Sequence, residues 1–98
     1  MIYRKRRVDI SQAPIMHALL AAGASVDPWP GANGRPDLVV GFRGVTYLLE
    51  CKTPGYAKNH KAHLKNQEAW RLAWNGGPVA VVATPEEALQ AIGAMEKD

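Results

Sequence analysis

The sequence contains very little cysteine, since Cys51 is the single one among 98 residues. This count excludes an internal disulfide and a metal site built from several cysteines. No apolar run approaches the roughly 20 residues that a membrane-spanning helix needs. No convincing cleavage site follows the basic N-terminus, so we expect no signal peptide. Repeats and low-complexity segments are also lacking. Together these absences predict a protein of a reducing cytoplasm that does not enter a membrane.

The composition is that of an ordinary globular protein, with 47% hydrophobic and 21% charged residues. At this length we expect a single domain over residues 1–98, in which residues 1–9 form a basic N-terminal arm. The formal net charge is +3, which by itself indicates a polyanionic partner only weakly. The positive charge is concentrated in two clusters. They are Arg4, Lys5, Arg6 and Arg7 in the first, and Lys58, Lys61, Lys65 and Arg71 in the second.

Hydrophobic periodicity and turn residues predict the order of the elements. They are a helix from Ser11 to Gly23, a short strand near Val26, a loop over 27–36, strands over 37–42 and 45–52, a helix over 63–74, a strand over 78–83 and a helix from Thr84 to about Met95. The wholly apolar strand over 78–83 is typical of a sheet centre. This order predicts an α/β fold with a small mixed sheet flanked by helices.

The hairpin between Asp37 and Lys52 contains the residues that indicate chemistry. Counting outward from a two-residue turn at Arg43-Gly44, Asp37 lies opposite Glu50. Residues opposite each other in an antiparallel pair point to the same face, with Cβ atoms roughly 4.5–5.5 Å apart. Lys52 shares that face, whereas Cys51 turns to the other one. Strand geometry therefore predicts two carboxylates and one ammonium group on a single patch.

This patch is suited to a divalent cation. Two adjacent carboxylates repel each other, and one of them resists ionisation unless a cation lies between them. Hard oxygen ligands suit Mg²⁺ or Mn²⁺, which can polarise a phosphodiester and acidify a water. Lys52 would add positive charge near the attacking water or the phosphate. The set is sufficient for phosphodiester hydrolysis.

Two motifs resemble a known nuclease family. Gly34-Arg35-Pro36-Asp37, followed after twelve residues by Glu50-Cys51-Lys52, resembles the signature of the PD-(D/E)XK nucleases. Gln67, on a predicted helix after a basic loop, resembles the additional glutamine of the VRR-NUC branch. The resemblance covers about residues 11–95. It implies a restriction-endonuclease-like αβββαβ core in a stand-alone VRR-NUC-like nuclease domain.

The resemblance also implies an activity and its residues. The activity would be that of a Mg²⁺- or Mn²⁺-dependent, structure-selective endodeoxyribonuclease that acts on branched DNA, a Holliday junction or a flap, as a homodimer. The location implied is the cytoplasm of a bacterium or of a virus-infected cell. The implied catalytic residues are Asp37, Glu50, Lys52 and Gln67, and the implied metal ligands are Asp37, Glu50 and the main-chain carbonyl of Cys51. Many relatives carry a glutamate on the first helix that assists the metal site, and here Gln12 and Asp9 stand nearest without matching it.

Basic and aromatic residues outside this patch are candidates for contact with DNA. The expected nucleic-acid-binding residues are Arg4, Lys5, Arg6, Arg7, Arg35, Lys58, Lys61 and Lys65. Contacts of this kind go to phosphates and bind without reading base sequence. Trp29, in the loop before Asp37, would touch substrate or cover the rim of the site. Trp70 and Trp74 lie four residues apart on a predicted helix, which favours core or a dimer interface over base stacking.

Other interpretations stay open at this point. The same fold could serve as a non-catalytic nucleic-acid-binding module, which would bind without metal. It could also be a subunit that docks on a replication or recombination protein through an apolar patch around Trp70 and Trp74. Cys51 could act as a nucleophile with His60 or His63, although its apolar neighbours favour a core position. His60 and His63 could instead bind a transition metal, although their basic neighbours favour a phosphate-facing loop.

Overall fold

The chain forms alternating helices and strands, described here from a computed structural model that covers residues 12–29, 34–52 and 61–96, without the side chains of 61–64. Within these ranges the elements are α1 (Gln12–Ala21), β1 (Ser25–Pro28), β2 (Leu38–Phe42), β3 (Val45–Cys51), α2 (Lys61–Ala73), β4 (Val79–Val82) and α3 (Pro85–Ala91). The predicted α/β class, with a small mixed sheet flanked by helices, is confirmed.

The four strands form one sheet in the order β1-β2-β3-β4. The first three are antiparallel neighbours and β4 runs parallel to β3. Arg43 and Gly44 both have positive φ, 52° and 82°, as the two-residue type I′ hairpin turn requires. This turn pairs Leu38 with Leu49, so the predicted register of the hairpin is confirmed.

One face of the sheet packs against α1 and α3 and forms the core. The core residues are Ile15, Leu19, Ala24, Leu38, Val40, Leu49, Cys51, Val82, Ala88 and Ile92. Cys51 is fully buried among them, as its neighbours in the sequence predicted. Leu20 of α1 points away from the core and is 52% exposed. Ile15 and Leu19, one helical turn apart, occupy the core-facing positions instead.

Two predicted boundaries are wrong by a few residues. β1 continues through Asp27 to Pro28, which pairs with Leu38, because a proline is tolerated at the end of an edge strand. α3 ends at Ala91 rather than near Met95. The N–H groups of Gly93 and Ala94 donate to earlier carbonyls of the last turn, and Gly93 has a φ of 78°. This is the Schellman arrangement that terminates helices.

The position predicted for β4 is also wrong. β4 lies at an edge of the described sheet rather than at its centre, and Val81 is 48% exposed. The two antiparallel connections place β1, β2 and β3 side by side, and the crossover through α2 adds β4 on the outer side of β3. Among the described helices, none is long and apolar enough to cross a membrane.

The predicted start of α3 is confirmed. The Thr84 side chain accepts a hydrogen bond from the Glu87 N–H, and Pro85 occupies the first helical position. The Glu87 carboxylate in turn accepts from the Ala83 N–H. These bonds satisfy amide groups that have no partner within the helix.

Candidate active site

Asp37 lies immediately before β2, and its main-chain N–H and carbonyl groups are both hydrogen-bonded. Its N–H donates to the Leu49 carbonyl at 3.0 Å, and its carbonyl accepts from the Trp29 N–H at 2.7 Å. The Asp37 carboxylate accepts a hydrogen bond from the Cys51 N–H at 2.8 Å. Asp37 thus sits one residue beyond the paired part of β2, with its carboxylate turned toward the end of β3.

Glu50 is a charged residue in the interior of the sheet, with 4% of its surface exposed. It alternates with Leu49 and Cys51, which point into the core, so Glu50 points to the opposite face. A buried carboxylate is costly unless other groups satisfy its charge and hydrogen-bonding capacity. The burial of Glu50 therefore indicates a built site rather than a solvated strand edge.

Gln67 joins Glu50 to Lys52. The Gln67 side-chain amide donates to the Glu50 carboxylate, and its oxygen accepts from the Lys52 ammonium group at 2.6 Å. Lys52 Nζ lies 3.8 Å from Glu50 Oε2, and Gln67 is only 2% exposed. Since Gln67 donates at one end and accepts at the other, the orientation of its amide is determined. The structure brings together Glu50, Lys52 and Gln67, three of the four residues predicted to be catalytic. The fourth, Asp37, is hydrogen-bonded to Cys51, which follows Glu50 in β3.

Gly34 allows the loop before Asp37 to lie directly against α2 at Asn66 and Gln67. Its φ is +85°, and a Cβ atom added to it would lie 2.2 Å from the Asn66 carbonyl oxygen and 2.9 Å from the Gln67 nitrogen. The loop before Asp37 thus touches the backbone of α2 at the residue that carries the Gln67 side chain. Only glycine fits, because any side chain would occupy the space of the helix backbone.

The main-chain carbonyl of Cys51 lies on the Asp37 side of β3. In a strand, the N–H and C=O groups of one residue point to the same side, and the Cys51 N–H points to Asp37. The next residue alternates, since the Lys52 N–H donates to Val82 in β4. Carboxylates from Asp37 and Glu50 and a carbonyl from Cys51 are therefore available at one end of the hairpin.

This donor set fits a hard divalent cation. The described residues contain no group of three or more His, Cys, Asp or Glu side chains placed to hold a metal. Mg²⁺ and Mn²⁺ are satisfied by one or two carboxylates with carbonyl, water and phosphate oxygens, which is what Asp37, Glu50 and Cys51 offer. His60 and the side chain of His63 lie outside the described residues, as does Asp9. Gln12 donates within α1, to Met16.

The predicted DNA-binding residues are only partly described. The Arg35 guanidinium lies 4.8 Å from the centre of the Trp29 ring, close to Asp37 in the chain. Lys65 is exposed on α2. Lys61 begins that helix, but its side chain is not among those described. Arg4, Lys5, Arg6, Arg7 and Lys58 lie outside the described residues.

Two features of the site were not predicted. One is the contact of Gly34 with α2. The other is a tryptophan array, which we define as Trp29, Trp70 and Trp74. Trp29 and Trp70 meet edge to face with ring centres 6.1 Å apart, and Trp70 stacks on Trp74 at 4.9 Å. The i, i+4 spacing indicated the second contact, whereas the first depends on tertiary structure.

Comparison with known proteins confirms the family resemblance. A solved structure of a VRR_NUC domain is 28% identical in sequence, with a TM-score of 0.55, and the match covers 84% of this chain and 89% of that one. No protein-family model and no curated protein sequence matches the chain. The chain is thus similar to a VRR_NUC domain along most of its length, and its fold is that of a nuclease family.

Proposed function

We propose that the protein is a metal-dependent endonuclease that hydrolyses phosphodiester bonds in DNA. The observation that carries this proposal is the buried Glu50 joined to Lys52 through the Gln67 amide, beside Asp37. A protein that only binds DNA gains nothing from a buried acid next to a polyanion, because the acid repels phosphate. A hydrolase needs such an acid to hold a cation. The likeness to a VRR_NUC domain supports the same conclusion.

In this proposal Asp37, Glu50 and the Cys51 carbonyl hold Mg²⁺ or Mn²⁺. When bound, the cation neutralises charge on the phosphate and acidifies a water. Asp37 is already oriented for this role, because the Cys51 N–H and the backbone bonds to the neighbouring strands restrict its movement. Preorganised ligands reduce the cost of binding, which makes this end of the hairpin the favoured place for the cation.

Lys52 supplies positive charge on the substrate side. Its ammonium group donates to Gln67, and further hydrogens of the group can point to the scissile phosphate or to the attacking water. Charge that develops on phosphate oxygens in the transition state is stabilised by such a donor without reorganisation. Gln67 acts as a positioning residue, because its amide keeps Lys52 and Glu50 at a set separation.

Contacts with the DNA backbone come from the basic residues in this proposal. Arg35, Lys61 and Lys65 lie in or beside the segments that flank the site. Arg4, Lys5, Arg6, Arg7 and Lys58 belong to the predicted arm and basic loop. We propose branched DNA, a Holliday junction or a flap, as substrate and a homodimer as the active form. Symmetric cutting of a four-way junction requires two active sites, and two-fold assemblies are the commonest oligomers.

The test compares cleavage of a labelled four-way junction, a flap and a matched linear duplex with Mg²⁺, with Mn²⁺ and with EDTA. Glu50→Gln removes the buried charge and keeps the shape of the side chain. Glu68→Gln, at an exposed position of α2 next to Gln67, makes the same chemical change away from the site. We expect metal-dependent cutting by the wild type and by Glu68→Gln, and a loss of at least about 100-fold in Glu50→Gln, about 2.7 kcal/mol of transition-state stabilisation.

Two results would contradict the proposal. One is equal cleavage by Glu50→Gln and Glu68→Gln. The other is DNA binding that persists in EDTA without cleavage under any cation, which would establish a non-catalytic binding module. The ranking of the three substrates decides separately whether branches are the target, and the mass of the protein on a branched substrate decides whether a dimer acts.

A further inference from the structure

Over residues 65 to 73, the helix that carries Gln67 buries very little apolar surface. Among residues 65 to 73, Gln67 is the one buried side chain, Trp70 is half-buried, and the others are exposed. Leu72, the largest aliphatic residue of this segment, is 80% exposed. A helix is normally positioned by an apolar face packed on a neighbour. Over residues 65 to 73, the specific contacts of Gln67 and Trp70 are therefore the contacts available to position the helix.

Trp70 is the half-buried residue of the segment over 65 to 73, and its ring contacts Trp29. Gln67 and Trp70 are three residues apart, so they lie along one face of α2, and Trp74 directly follows the end of the helix at Ala73. At one end of this face Gln67 enters the site, and next to it Trp70 meets Trp29 edge to face. At the other end Trp74 stacks on Trp70 and donates to the Gly77 carbonyl.

Trp29 connects the same contact to the substrate side of the site. Its N–H donates to the Asp37 carbonyl at 2.7 Å, and its ring supports the Arg35 guanidinium. A cation over an indole face is attracted to it and loses rotational freedom. Trp29 is therefore bonded to the segment that carries Asp37 and Arg35, while Trp70 belongs to the helix that carries Gln67.

Each ring of the array has a neighbour within the described chain, and Trp74 is also 39% exposed. One side of the Trp74 ring is taken by Trp70. Gly76 lies against the ring as well, since a Cβ atom there would come within 2.3 Å of it. Arg35 lies over the Trp29 ring, and Trp70 meets that ring edge to face. The rings contact one another and the chain, which is what a positioning element requires.

We propose that the Trp29–Trp70 contact is a positioning element of the active site, which holds Gln67 over Glu50 and Lys52, while the Trp29 ring by itself supports Arg35. The inference rests on the proposed nuclease function, because Gln67 and Arg35 take their roles from it. Trp29 and Trp70 are positioning residues and act through Arg35 and Gln67. A displacement of about 1 Å at a catalytic group can lower a rate about 100-fold, so even a small shift of α2 is expected to matter.

The kinetic test separates kcat from KM for cleavage of the best DNA substrate. Trp70→Ala is expected to lower kcat about 100-fold and to leave KM within about threefold, because it misplaces Gln67 without touching the DNA-binding groups. Trp70→Phe keeps an aromatic edge for Trp29 and is expected to recover most of kcat. Leu72→Ala is the matched control on the same helix and should behave as the wild type.

Trp29→Ala tests the other side of the contact. It should lower kcat as Trp70→Ala does and also raise KM, because Arg35 loses its support. The double variant should show no lower kcat than either single variant, since both remove the same contact. If Trp70→Ala does not fold, Trp29→Ala and Trp70→Phe carry the comparison. Multiplied kcat losses in the double variant, or wild-type kcat in folded Trp70→Ala, would overturn the proposal.

A spectroscopic measurement keeps the inference testable without catalysis. The side-chain amide of Gln67 lies between Glu50 and Lys52, so its nitrogen-15 NMR signal reports on the contact directly. We expect this signal to shift or broaden in Trp70→Ala and to stay unchanged in Leu72→Ala. An unchanged signal in Trp70→Ala would refute the positioning role. A wild type that fails to cut but shows the expected shift would refute the nuclease and leave the positioning contact established.

Discussion

Replacing Gly34 by alanine tests the link between the loop before Asp37 and the helix that carries Gln67. The added Cβ atom would lie 2.2 Å from the Asn66 carbonyl oxygen, whereas ordinary contacts at a Cβ atom begin near 3.4 Å. The loop and the helix must therefore move apart by about 1 Å. Gly44 provides the control, because it has a similar φ, +82° against +85°, and no atom within 4 Å of the added Cβ.

Both variants place an alanine at a left-handed φ, but only Gly34→Ala also adds a steric clash. A left-handed φ costs an alanine residue roughly 1–2 kcal/mol, so Gly44→Ala should lose about that much stability and no cleavage activity. Gly44 lies at the hairpin turn, at the far end of β2 and β3, roughly 20 Å along the strand from Asp37. Gly34→Ala should lose more stability than Gly44→Ala, and a displacement of about 1 Å at Gln67 on the helix or at Asp37 after the loop should lower kcat about 100-fold.

The free energies of unfolding would be measured by urea denaturation, and the rates by single-turnover cleavage at saturating Mg²⁺. The difference between the two variants isolates the clash from the backbone strain. If Gly34→Ala and Gly44→Ala lose the same stability and both cut at the wild-type rate, the close approach of Gly34 to α2 has no role in the site.

Three further variants test single groups. Asp37→Asn can still accept from the Cys51 N–H, so we expect normal folding with cleavage abolished and Mg²⁺ affinity reduced by calorimetry; unchanged affinity would remove Asp37 from the metal ligands. Lys52→Met should cripple single-turnover cleavage while Mg²⁺ affinity stays, and a collapse of that affinity would contradict its assigned role. Thr84→Ala removes the cap of α3 and should cost about 1 kcal/mol in urea denaturation without changing the cleavage rate; a rate loss would connect α3 to the site.

The sequence was most informative for the hairpin, because its register depends on local chemistry. Arg43-Gly44 favours a two-residue turn, and a slip of one residue would turn Leu49 and Cys51 away from the core. Glu50 and Cys51 were therefore assigned correctly to opposite faces. The start of α3 was equally predictable, since Thr84 and Pro85 act on groups within one turn of themselves.

Predictions that depended on neighbours in space were less successful. An apolar run such as Val79–Val82 is compatible with a central or an edge strand, and only the sheet order placed β4 at the edge. The extension of β1 to Pro28 likewise depended on its pairing with β2. Neither position is encoded within the segment itself.

Alternation along a strand is a local property, so the residue order of the hairpin was enough to show which acidic and basic groups share one face at its end. The groups that complete that face come from segments distant in the chain. Gln67 reaches Glu50 and Lys52 across 17 and 15 residues of chain, Gly34 touches α2 at Asn66, and Trp29 meets Trp70. Such contacts depend on the position of the crossover helix relative to the sheet. Packing between elements distant in sequence determines this position, and the residues within either element do not.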